Sequence, residues 1–138
     1  NWRIVAECEV ETKKIQMVGD EIELLFETLD GENVEYGSCL RFDQFDEYLS
    51  SNDYKGYALF IKNLKPIMLS FDKDCIFKKP HGNETITRAP QNMQWCFDRF
   101  GNRYALISIR PEWLCKILNG EKTIEIRKKV LKGMCDDE

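Results

Sequence analysis

Lys122, Glu125 and Arg127 stand close together near the end of the chain, two cations bracketing a carboxylate. Lys122 and Arg127 are the residue types that hold a phosphate or the edge of a base, Arg with a planar fork of donors. Glu125 between them can accept a hydrogen bond from an amino group on a base. Ser108 and Arg110, just upstream, can complete the wall of such a pocket. Trp95 offers a flat face on which any nucleobase can stack. Each residue also has a plainer reading. Glu125 with Lys122 or Arg127 can be an ion pair that braces the fold. Trp95 and Trp113, in apolar surroundings, are expected in the core before they are expected as platforms.

The elements around the trio follow from local pattern. Residues 104–109 form an apolar run that stops at Arg110-Pro111, and Pro suits the first position of a helix. Trp113, Leu114, Ile117 and Leu118 recur at helical spacing. Asn119-Gly120 ends that helix, because Gly accepts a left-handed C-cap. Residues 123–127 then read as a strand, with Ile124 and Ile126 on one face and Thr123, Glu125 and Arg127 on the other. Lys122 lies at the turn into it.

GEKTIEIR, Gly120 to Arg127, resembles the G-x-K-x-x-E-x-R signature of ASCH domains, a branch of the PUA-like superfamily. SIRPEWLCKILNG before it resembles that family's lead-in strand and helix. SCLRFDQFDEYLSSNDYKGYALFIKNLK, Ser38 to Lys65, resembles a later part of these proteins, in which a helix leads to a G-Y-x-x-x-I strand and an N-L-K turn. TRAPQNMQWCF, Thr87 to Phe97, is similar to their T-R-x-P-Q-S-W-C/M-Y ending, and WRIVAECEV, Trp2 to Val10, to a middle strand. The family order is changed: its C-terminal half falls at 1–97 and its N-terminal signature unit at 104–127, and a V-Y-I-Y-C-T strand has no counterpart. A circular permutation joined at residues 98–103 explains this, since the ends of a closed barrel lie close together. A piece spanning two tandem copies is the alternative. The resemblance implies one α+β, mainly β domain over 1–138, a small PUA-like β-barrel with two or three short helices.

It also implies RNA or a modified nucleotide as ligand, and a phage or bacterial setting, where such domains are frequent. Some ASCH-like proteins are similar to acetylcytidine amidohydrolases. There a Lys and a Thr of the matching motif, with a distant Glu, carry the reaction. Here Lys122 is present, but Glu125 holds the position of the catalytic Thr, and Thr123 lies two residues away. A nucleoside amidohydrolase or ribonuclease would therefore use Lys122 as base, Thr123 as nucleophile and Glu125 beside them. The expected ligand-binding set is Ser108, Arg110, Lys122, Glu125, Arg127 and Trp95, with no metal and no cofactor. A third possibility is an adaptor that meets a protein partner through its acidic N-terminal half.

Composition narrows the classes. A chain of 138 residues, 43% hydrophobic and 12% aromatic, can bury a core. It holds no apolar run of membrane-spanning length, so no membrane partner is expected. Asn1 in place of Met suggests a processed start or a piece of something longer. The six cysteines form no CxxC pair and have only His81 for company, which disfavours zinc. Cys8 and Cys115 read as buried small hydrophobes. Undesigned cysteines of this kind suggest a reducing, cytoplasmic setting. His81, in a Gly/Pro-rich stretch, is expected at the surface. Residues 1–76 carry 8 basic and 16 acidic side chains, a balance of −8, whereas residues 99–133 carry 9 and 3, a balance of +6. A basic patch on an acidic chain fits selective capture of an anion better than indiscriminate phosphate binding.

Elsewhere, residues 3–11 alternate as a half-buried strand, with 15–18 extending or following it. Residues 21–28 are ambiguous between strand and helix, and 30–33 carry a turn signal. Phe42, Phe45, Tyr48 and Leu49 predict a helix over 42–49. Residues 50–55 are a polar connector, 56–62 a strand, 70–92 a long loop, 94–97 a strand and 98–103 a charged link.

Overall fold

A computed structural model describes residues 3–24, 32–71, 77–82 and 84–135. The long strand β1, Arg3–Val18, turns through Gly19-Asp20 into β2, Glu21–Leu24. Val18 pairs with Glu21 across a two-residue hairpin whose Gly19 has φ +62°, the left-handed geometry that such turns require. Helix α1 covers Glu32–Ser38 and α2 covers Phe42–Leu49. The entry to α2 is fixed by the Gln44 side chain, which accepts the Arg41 backbone N–H at 2.8 Å, half of a capping box. Phe45 and Leu49, one turn apart, are its buried residues. A 3-10 turn, Ser50–Asn52, leads into strand β3, Lys55–Ser70. Then come β4 (Met93–Phe97), β5 (Arg103–Ile107), α3 (Pro111–Leu118) and β6 (Ile124–Arg127).

The protein is α+β and mainly strand, with three short α-helices among the described residues. The expected barrel is not formed. The strands make an open four-stranded sheet in the order β2-β1-β3-β6 and a separate two-stranded sheet, β4-β5. The cause lies in the partners of β5 and β6. β5 folds back antiparallel on β4, Met93 opposite Ile107 and Phe97 opposite Arg103. β6 instead pairs antiparallel with β3, Tyr57 opposite Arg127 and Phe60 opposite Ile124. The two strands flanking α3, which read as one strand–helix–strand unit, thus belong to different sheets.

Two compact units result: residues 1–7 with 64–111, and residues 8–63 with 112–138. The second has a core of Ile15, Ile22, Leu24, Val34, Phe45, Leu49, Ala58, Ile124 and Ile126. The first is built on Phe71, Ile86, Cys96 and Leu106, with Ile4, Phe77 and Ala89 packed against them.

Several local expectations change. Cys8 and Cys115 are exposed, not buried. β1 passes from one unit to the other at Glu7–Cys8, so one alternating face is not kept along it, and Cys115 occupies the solvent side of α3. The expected turn at Asn63-Leu64-Lys65 lies inside β3, where Asn63 adopts φ +53° and donates to Glu9 at 2.8 Å. Of the ambiguous 21–28 segment, Glu21–Leu24 is strand and 25–28 lies outside the described residues. Glu32 and Asn33, expected in a turn, open α1. Within the 70–92 loop Lys78 forms two β-bridges, one to Thr85 and one out to Phe97. No helix of the described residues is long and apolar enough to cross a membrane.

Candidate functional site

The chain reaches β6 through a tight reversal. Gly120, at φ +86°, donates to the Ile117 carbonyl at 3.2 Å and closes α3. The Lys122 N–H then donates back to Lys116 at 3.0 Å. Thr123 donates to the Gly37 carbonyl at 2.8 Å and accepts from Ile61 at 2.9 Å, which clamps the start of β6 between α1 and β3. Gly37 makes this approach possible: a Cβ there would lie 2.7 Å from Ile124 Cδ1 and 2.9 Å from Thr123 Oγ1.

This reversal carries Lys122 into the interior, where it is 2% exposed. Its Nζ donates to the Ser38 carbonyl at 2.5 Å, at the C-terminal end of α1, lies 3.6 Å from Glu125 Oε1 and sits 4.9 Å from the centre of the Trp113 ring. A cation at a helix C-terminus is favoured by the dipole. Glu125 Oε2 accepts from Arg127 Nη2 at 2.8 Å and from its Nε at 3.1 Å, the two-pronged geometry that makes Arg–carboxylate pairs strong. Burial pushes the Lys122 ammonium below its ordinary value of 10.5, and the neighbouring Glu125 carboxylate pulls it only partly back. The trio is thus one connected chain, Ser38–Lys122–Glu125–Arg127. Its ammonium and carboxylate are engaged in holding α1 against β6.

Ser108, Arg110 and Trp95 lie in the other unit. Ser108 Oγ donates to the Pro90 carbonyl, and its N–H to Asn92 at 3.0 Å. Ser108 borders a cavity of about 1050 Å³ whose lining mixes charges, Lys79 and Arg88 with Glu84. Arg110 is exposed. Trp95 is half-buried, and the Arg103 guanidinium lies over its ring at 4.0 Å. Thr123 is exposed between its buried neighbours Lys122 and Ile124, and His81 is exposed as expected.

Just beyond the trio, the residues after β6 help to form a cavity of about 520 Å³. Four lysines line it: Lys14 from β1, Lys55 from β3, and Lys128 and Lys129 after Arg127, with Gln16, Asn52 and Tyr57 between them and no acidic side chain in the lining. Asn52 ties its walls together, donating to Lys55 at 2.8 Å and to Lys128 at 3.0 Å through their carbonyls. Gly56 lets β3 pass close beneath: a Cβ there would lie 2.8 Å from the Arg127 carbonyl oxygen. Sequence reasoning missed these lysines. Lys128-Lys129 belonged to the basic stretch that it noticed, but Lys14 and Lys55 come from the acidic part of the chain.

No disulfide joins the described cysteines Cys8, Cys39, Cys96, Cys115 and Cys135 to one another. No group of His, Cys, Asp or Glu that could hold a metal ion occurs among the described residues. No protein-family model, curated protein or solved structure matches the chain.

Proposed function

We propose that this protein binds RNA or a nucleotide-like anion, the ligand class that the resemblance of Gly120–Arg127 to the ASCH signature leads one to expect, and that it does so in the lysine-lined cavity beside β6 rather than at the signature residues. The observation that supports this reading is that four lysines, Lys14, Lys55, Lys128 and Lys129, line one cavity with no acidic residue in its lining; Lys55 Nζ lies 3.9 Å from Asp53 and Lys128 Nζ 4.7 Å from the centre of the Tyr48 ring, at the edge of that cluster. Like charges gathered in a concave site raise the local concentration of an anionic ligand. In this reading the signature trio is the frame and not the contact surface. Lys122 and Glu125 hold β6 in place, and Arg127 delivers Lys128 and Lys129 to the cavity wall. The engagement of the Lys122 ammonium with Ser38 and Glu125 favours binding over hydrolysis, which needs a base free to take a proton.

Thermal shift with nucleoside triphosphates and short oligoribonucleotides tests this, because a ligand that binds the native state raises the melting temperature with its concentration. The shift should fall sharply in a Lys128→Gln/Lys129→Gln double variant. An undiminished shift in that variant would remove the cavity from consideration.

A further inference from the structure

We propose that the β4–β5 hairpin is a second contact for single-stranded nucleic acid, with Phe100 as a base-stacking tip and Arg99 and Arg103 as its flanking cations; the proposal rests on the nucleic-acid reading above. Phe100 is 73% exposed at the turn, between the paired residues Phe97 and Arg103. An exposed aromatic on an open loop would be unremarkable, but this turn is closed by its own hydrogen bonds. The Asp98 N–H donates to Asn102 at 3.0 Å, and Gly101, at φ +83°, donates back to Asp98 at 3.2 Å. One Asp98 carboxylate oxygen accepts from the N–H groups of Phe100 and Asn102, each at 2.9 Å, and the other accepts from the Asn102 amide at 3.1 Å. The turn's one carboxylate is therefore occupied within the hairpin, by the Phe100 and Asn102 N–H groups and the Asn102 amide.

The side chains around the tip are those that nucleic acid favours. The Arg99 guanidinium lies 4.9 Å from the centre of the Phe100 ring, and that of Arg103 lies 4.0 Å from the centre of Trp95. Guanidinium planes stacked on rings keep their edges directed outward, where they can meet phosphates. A base can stack on Phe100 whatever its identity, but only if it is not already stacked inside a duplex. The expected ligand is thus an unpaired strand, with little sequence preference.

The test uses the full chain and a short oligouridine carrying one 2-aminopurine, whose fluorescence is quenched when it stacks. The wild type should quench it. Phe100→Ala should weaken binding on the order of tenfold and abolish quenching, and Phe100→Trp should retain both. The Lys128→Gln/Lys129→Gln variant should bind more weakly, yet still quench at saturation. Unchanged affinity and quenching in Phe100→Ala, or loss in Phe100→Trp, would overturn the hairpin proposal. Binding of mononucleotides without binding of the oligouridine would overturn it while leaving the cavity reading intact. A Phe100 effect with no lysine effect would overturn the cavity reading alone.

Discussion

Lys122 is the residue whose sequence position and structural role diverge most. A lysine at the turn into a charged strand reads as a ligand contact, yet here it is buried and shared between a helix-end carbonyl and Glu125. Removing one partner of a buried charge pair leaves the other uncompensated, at a cost of about 3–5 kcal/mol. Glu125→Ala should therefore destabilise the protein by about that much in urea unfolding, whereas Lys122→Met should cost less, because Glu125 keeps Arg127. A Glu125→Ala loss below about 1 kcal/mol would show that the pair is not a brace. The same burial gives a pH signature. The Lys122 pKa is depressed below 10.5 in the folded state, so the unfolded chain binds more protons as pH approaches 10.5, and stability rises with pH through that window. Other groups titrate there too. The readout is therefore the difference in unfolding free energy between wild type and Lys122→Met, which should move in favour of wild type from about pH 8 toward 10.5. A difference that stays flat or moves the other way would contradict the buried-ammonium account.

Gly56 sets how closely β3 passes beneath β6. A methyl group there would meet the Arg127 carbonyl oxygen and Leu49 Cδ2, both at 2.8 Å. The carbonyl belongs to a paired strand and cannot turn aside as a side-chain end can. Gly56→Ala should thus cost about 1–3 kcal/mol by overpacking and, by displacing Lys128 and Lys129, weaken the ligand-induced thermal shift as well. A variant with wild-type stability would show that the strands separate freely. At this scale the sequence was legible where the signal is local. The stripe of Phe42, Phe45, Tyr48 and Leu49 marks α2 at its observed bounds, and Pro111 and Gly120 bracket α3 to within two residues. Pairing between distant strands was not legible. Nothing in the alternation of Ile124 and Ile126 distinguishes β3 from β5 as the neighbour of β6, and the barrel was expected from the family resemblance. The local stretch 98–103 shows the same limit: its charge was plain, but its hairpin geometry depends on the register of Phe97 with Arg103.

Taken as a whole, the chain carries a net charge of −4, and a uniform distribution of that charge would repel an anionic ligand. The segment balance already suggested otherwise, but it did not locate the site. Two of the four cavity lysines, Lys14 and Lys55, come from the stretch with a balance of −8, because a cavity samples space and a running charge samples sequence. The fold therefore concentrates positive charge more than the sequence does, and the consequence is measurable. Each phosphate neutralised on a single strand contributes about −0.7 to the slope of log affinity against log salt. Four contacting lysines contribute about −3 to the slope, or roughly a fifty-fold loss of affinity between about 50 and 200 mM salt, and phosphate contacts from Arg99 and Arg103 would steepen it further. Lys128→Gln/Lys129→Gln should flatten the slope by about 1.4, whereas Phe100→Ala should lower affinity at every salt concentration and leave the slope unchanged, since stacking releases no counterions. A wild-type slope near zero, or the same slope in the lysine variant, would mean that the ligand is held by something other than these lysines.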